Sequence, residues 1–207
     1  NRGKSLSTLE LLKNRLIYLT TIYPENILSS QEAQELRNTI NGTWKTIYQQ
    51  LGNNADKALG DDEFLKDHWT MYFRYDRKTS MVYKEDLLSR YFTARNVFDK
   101  NDSLKPIDIK KYVESLAACV KIWYQIKCPN DINTLPEAEK VLLTRLDRVG
   151  IGSFRPMLMA AYLKKGQENI EPLLDACERF RFLIRHISGR RSNIADSLFY
   201  GLAQQCF

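Results

Sequence analysis

Apolar residues recur along this chain at intervals of three and four, the period of a helix with one buried face. Leu9, Leu12, Leu16 and Leu19 form the first such stripe. Ser7 and Glu10 precede it at the spacing of a capping box, in which the serine oxygen accepts from a free helix-start amide and the glutamate reaches back. Ser29 and Glu32 repeat the device and open a longer stripe of Leu36, Ile40, Trp44, Ile47 and Leu51, closed by Gly52. Gly42 inside it costs about 1 kcal/mol relative to Ala and marks a place where the helix can kink.

The same punctuation continues downstream. Asp61 or Asp62 starts a helix bearing Phe64, Leu65, Trp69, Tyr72 and Phe73, with polar loops expected over residues 52–60 and 76–82 and a short helix near 84–92. Pro106 suits the first turn of a long helix carrying Ile109, Val113, Leu116, Val120, Trp123 and Ile126, which Pro129 ends. Thr134 and Glu137 read as a third capping box, with Pro136 in the first turn and Val141, Leu142, Leu146 and Val149 following. Ser153 starts another helix through Leu158, Ala161 and Tyr162. Pro172 enters the next, placing Leu173, Cys177, Phe180, Ile184 and Ile187 on one face before Gly189. A last helix is expected from about Ser192 through Leu198 and Leu202.

No segment alternates with period two over a strand's length, so the expected fold is all-α, an irregular multi-helix bundle of about eight to ten helices. Residues 1–207 are expected to form a single helical domain, with the polar stretch at 96–105 dividing lobes 1–95 and 104–207. The helices differ in length and share no fixed repeat, which argues against a solenoid. The first residue is not Met, and the expectation is a segment of a larger protein.

Composition narrows the class. Hydrophobic residues make up 43% and charged residues 27%, enough apolar surface to build a core and exclude a disordered chain. The net charge of +6 permits a polyanionic partner without requiring one. No apolar run reaches the roughly 20 residues of a membrane span, so no membrane partner is expected. Cys119, Cys128, Cys177 and Cys206 form neither a CxxC pair nor a ligand set with His, and read as free thiols in a reducing, cytoplasmic setting. No phosphate-binding GxxxxGK[ST] loop is present.

Three clusters are candidate sites. His68 lies near Asp61, Asp62, Glu63 and Asp67; a solvated helix start is the expected reading, with acids at the positive dipole end, and a metal or acid–base site is the alternative. Residues 179–191 hold five arginines, of which Arg181 and Arg185 lie one turn apart on an expected outward stripe with Phe182. Arg190 and Arg191 follow Gly189 just before an expected helix start, where forked guanidinium donors and free amides can converge on a phosphate. The competing reading is a solvated or internally paired face. Arg2, Lys4, Lys13 and Arg15 make a weaker basic cluster at the opening, whose competing reading is a loop packed on an upstream domain.

The opening, Asn1 to Ser7 followed by Glu10 to Leu19, resembles the "NNRGKPLS…ELLKNRLIYL" segment of the GmrSD-type restriction endonuclease N-terminal domain family, with Ser5 at the usual proline. Residues 41–48, 61–73 and 189–193 resemble further stretches of the same family. The resemblance implies a helical region that follows a ParB/sulfiredoxin-like nucleotide-binding domain carrying a DGQQR motif. In many members an HNH-type nuclease domain comes after it. Such proteins act in prokaryotic phage defence, cutting foreign or modified DNA with nucleotide dependence. Neither DGQQR nor an HNH constellation occurs in this sequence.

By this resemblance the chain alone carries no catalytic residue, cofactor or metal, while the parent protein binds a nucleoside triphosphate and a divalent metal. Asn1, Arg2, Gly3 and Lys4 would form the edge of the nucleotide-binding domain. The expected partners are that domain, the downstream nuclease domain and DNA, the last gripped through Arg181, Arg185, Arg190 and Arg191. The alternative is a protein-interaction or homo-oligomerisation scaffold without DNA binding, in which arginines and Phe182 anchor an acidic helix or another subunit.

Overall fold

The computed structural model describes residues 6–53, 59–73, 82–99, 103–164, 169–191 and 193–207, with the backbone alone at residues 185 and 186. The fold is all-α. Ten α-helices lie among the described residues, and no strand does. No helix among them is long and apolar enough to cross a membrane. The four cysteines are free.

The chain folds into two compact units, residues 1–66 with 79–120 and residues 67–78 with 121–207. Two helices, α3 (Asp61–Tyr72) and α6 (Pro106–Lys127), begin in the first unit and end in the second. The division therefore runs through helices, and the described part of the 96–105 stretch lies inside the first unit.

The first unit rests on α1 (Thr8–Ile22) and α2 (Ser30–Gly52). Both capping boxes are present: Glu10 N–H donates to Ser7 Oγ while Ser7 N–H donates to Glu10 Oε2, and Ser29 with Glu32 does the same. The expected stripes of α1 and α2 are buried throughout, and α2 runs unbroken past Gly42. The Trp44 indole N–H crosses to the Leu9 carbonyl at 3.1 Å inside the core, which fixes the register of α2 on α1.

A short helix α4 (Tyr83–Glu85) passes into a π-helical turn over Asp86–Tyr91, and α5 (Ala94–Val97) follows. The π turn leaves carbonyls without regular helix partners, and Arg15 of α1 donates to two nearby, those of Leu88 and Phe92. Tyr23 donates to the Leu104 carbonyl at 2.7 Å.

The second unit contains α7 (Glu137–Val149), α8 (Arg155–Lys164), α9 (Glu171–Phe182) and α10 (Asp196–Cys206). The third capping box is not formed. Leu135 is buried and its N–H closes a turn on the Ile132 carbonyl, so Pro136 takes the cap position and α7 starts at Glu137, two residues later than a Thr134 cap would start it. Gly150, in the left-handed region at φ 111°, ends α7. A 3₁₀ turn, Gly152–Phe154, leads into α8 in place of an α-helix from Ser153.

At the centre of this unit Asp67 is buried against Arg155, with Nε donating to Oδ2 at 2.6 Å, and accepts from the Trp123 indole at 2.9 Å. A buried carboxylate is tolerated only with a cation and its oxygens engaged. Asp67→Ala is expected to cost about 3–5 kcal/mol in urea unfolding because it removes the carboxylate paired with the largely buried Arg155. Asp67→Ala combined with Arg155→Met should recover a large part of that loss, and a double variant as unstable as the single would refute the buried-charge account.

Candidate functional site

The basic stretch begins inside α9. Pro172 occupies its first turn and Ile170 is buried at the cap. The buried face consists of Leu174, Cys177 and Arg181. The helix is thus rotated from the expected face of Leu173, Cys177 and Phe180, and Arg181 points inward with only 4% exposure.

Two groups make that burial tolerable. Arg181 Nη2 donates to Ser153 Oγ at 2.7 Å, and the guanidinium carbon lies 4.9 Å from the centre of the Phe154 ring. A planar, weakly hydrated guanidinium stacks on an aromatic face at lower desolvation cost than an ammonium. Arg181 therefore does not share an outward stripe with Phe182, and the expectation that it grips DNA from that stripe is corrected.

After Phe182 the helix widens into a π turn over Leu183–Ile187, and the Ser188 N–H reaches back to the Leu183 carbonyl. The extra residue per turn shifts the face on which later side chains emerge. Leu183 and Ile187 are 56% and 66% exposed, so Ile187 leaves the buried face that regular spacing assigns it. The side chain of Arg185 lies outside the described residues, as do Asn1, Arg2, Gly3 and Lys4.

Gly189 takes φ 59° and turns the chain. The Arg190 N–H then donates to the Ile184 carbonyl at 3.1 Å, folding the loop back onto the π turn. Arg190 and Arg191 are both exposed.

They do not sit at a helix start. The helix α10 begins at Asp196, whose carboxylate already occupies the positive end of the dipole, with Ala195 as an unassisted cap. Arg191 thus precedes the first residue of α10 by five positions, farther than the sequence spacing suggests.

The aromatic rings of Phe154, Phe180 and Phe199 join the two sides of this surface, with Phe180 and Phe199 5.3 Å apart and Phe154 and Phe199 4.6 Å apart. They hold the last turn of α9 beside the first turn of α10. Ala203 packs inward from α10, while Leu198 is 62% and Ile194, just before the helix, 50% exposed. Glu178 of α9 is held by Arg145 of α7 at 3.0 Å, and Arg179 by Asp175 at 2.8 Å.

The acidic cluster around His68 is not a solvated helix start throughout. Asp67 and His68 are buried, the first in the pair with Arg155 and the second stacked on Tyr72 at 5.5 Å. Burial pushes the His68 ring down to about 3, so it is neutral at pH 7. Among the described residues no group of three or more His, Cys, Asp or Glu is placed to hold a metal ion. Burial also pushes the Cys119 and Cys177 thiols up to about 12, far from the thiolate a nucleophile needs.

A separate groove of about 510 Å³ lies in the first unit, floored by Leu28, Leu36 and Pro106. Its Glu32 carboxylate is committed to Ser29.

Exposed Leu183, Ile187, Ile194 and Leu198 were not expected from sequence. The signal available for α10 was the spacing of Ile194, Leu198 and Leu202 by four residues, a row separate from Phe199 and Ala203. No family model, curated protein or solved structure matches this chain.

The burial of His68 has a pH consequence. In the unfolded chain it titrates near 6.5, and in the folded chain near 3. Between those values the unfolded state holds a proton that the folded state refuses, so stability falls as pH drops through this window, by up to roughly 1.4 kcal/mol per unit. Above pH 6.5 His68 contributes no slope. His68→Gln is expected to flatten the decline of melting temperature between about pH 6 and pH 4, and parallel declines in both proteins would refute the assignment.

Proposed function

We propose that this chain is a helical interaction region of a GmrSD-type, nucleotide-dependent restriction and phage-defence protein, joining its nucleotide-binding and nuclease parts in a reducing cytoplasm. The family half of this reading is supported by the opening residues 1–19 and the stretches at 41–48, 61–73 and 189–193. The interaction half is carried by one observation: Leu183, Ile187, Ile194 and Leu198 are each half or more exposed, on the segments that flank the Phe180–Phe199 ring contact. A concentration of large apolar side chains in water is characteristic of a surface that another protein element covers.

A second reading is contact with the DNA backbone, favoured by the exposure of Arg190 and Arg191. Phosphate contacts release counterions, so such binding would weaken steeply between about 50 and 200 mM salt. Arg190→Ala with Arg191→Ala would then lower duplex affinity at low salt, and unchanged affinity would remove this reading.

The gene around this chain is expected to encode a DGQQR-bearing segment upstream in the same frame; its absence would remove the family reading. Leu183→Ser with Leu198→Ser is expected to shift stability by no more than about 0.5 kcal/mol per site, because both residues are exposed. The same pair should sharply reduce binding of the separately expressed nucleotide-binding or nuclease part in calorimetry. Undiminished binding to both would refute the assignment of this surface.

A further inference from the structure

We infer that the surface formed by the end of α9 and the outer side of α10 receives an acidic amphipathic helix, an inference that rests on the interaction reading above and names the chemistry of its partner. The apolar part comes in two rows. Leu183 and Ile187 lie four residues apart on the π turn, and Ile194, Leu198 and Leu202 continue at the same spacing into α10. Phe180 and Phe199, in ring contact, stand three residues before Leu183 and next to Leu198. The hydrogen bond that the Arg190 N–H donates to the Ile184 carbonyl holds the intervening loop against the π turn. The Phe180–Phe199 contact brings together the segments that carry these rows, and apolar rows of this spacing suit a helix whose own apolar residues recur every three or four positions.

Charge selects the flanks of that helix. Residues 179–207 hold Arg179, Arg181, Arg185, Arg190 and Arg191 against a single acid, Asp196. Arg179 is held by Asp175 and Arg181 is turned inward, whereas Arg190 and Arg191 are exposed with no ion pair among the described residues. Carboxylates beside an apolar stripe would engage these forked donors and steer the encounter. A second copy of the chain docking by a two-fold contact would instead bring the same arginines together, a like-charge arrangement. Nucleic acid would leave the apolar rows without a matching surface, since such interfaces are polar and wet.

Fluorescence anisotropy with the full chain tests the inference, using a labelled helical peptide of about 18 residues with a leucine stripe flanked by glutamates. Binding is expected, weakened about tenfold or more by Arg190→Ala with Arg191→Ala and by Leu183→Ser with Leu198→Ser, all with unchanged circular dichroism. If a lysine-flanked version of the peptide binds as tightly, the acidic partner is wrong while the interaction reading stands. If neither peptide binds and Leu183→Ser with Leu198→Ser leaves capture of the nucleotide-binding and nuclease parts intact, both fall. Arginine-dependent retention of duplex DNA without peptide binding overturns the inference in favour of phosphate. A dimer in solution that Leu198→Ser dissociates overturns it in favour of a second copy.

Discussion

Asp67 and Arg155 form the interaction on which the second unit depends. Removing a carboxylate from water costs several kcal/mol, and only a well-placed cation with further donors offsets it. Arg155 Nε and the Trp123 indole both reach Oδ2 of Asp67, so the C-terminal half of α3, the end of α6 and the first residue of α8 are fixed at one point. Hydrophobic burial is non-directional and would accept several rotations of these helices. The charged pair accepts one.

That constraint propagates along the chain. Arg155 directly follows Ser153 and Phe154, the two groups that receive Arg181. Placing Arg155 on Asp67 therefore places the hydroxyl and ring that hold the α9 guanidinium, and Arg181 in turn sets the rotation of α9. The π turn begins two residues later, and its extra residue determines which of Leu183, Ile184 and Ile187 meet water. The first unit uses neutral donors for the same purpose: Trp44 on the Leu9 carbonyl, and Tyr23 on the Leu104 carbonyl. Burial pushes the Tyr23 hydroxyl up, so it remains a donor across the working pH range.

The parts of the fold legible in the sequence are those decided locally. The Ser7–Glu10 and Ser29–Glu32 boxes need only residues three apart, and both formed with the apolar stripes behind them buried. Thr134–Glu137 has the same spacing, but burial of Leu135 moved the start of α7 past it. The face of α9 was misassigned for a similar reason. Arginine reads as an outward residue on every hydropathy scale, and the features that draw Arg181 inward, Ser153 and Phe154, lie 28 and 27 positions upstream. The π turns have no signature in spacings of three and four, because their bonds span five residues. The division into two units within α3 and α6 was equally hidden, since a helix that serves two cores keeps one uninterrupted apolar period.

These displacements bear directly on function. In the sequence, residues 179–191 are a basic run, and the natural inference is phosphate. Folded, the same run separates into three environments: Arg181 inside against Ser153 and Phe154, Arg179 held by Asp175, and Arg190 with Arg191 in water. Meanwhile Ile187, which the sequence places among core positions, is exposed, as is Leu183. A surface that loses basic groups and gains apolar ones moves away from the polar, wet character of a nucleic-acid interface and toward that of a protein interface, where apolar and arginine anchors act together. On the proposed reading, Arg190 and Arg191 would form the charged rim of the docking surface and select the sign of its partner, while the leucines and isoleucines would supply the area it buries.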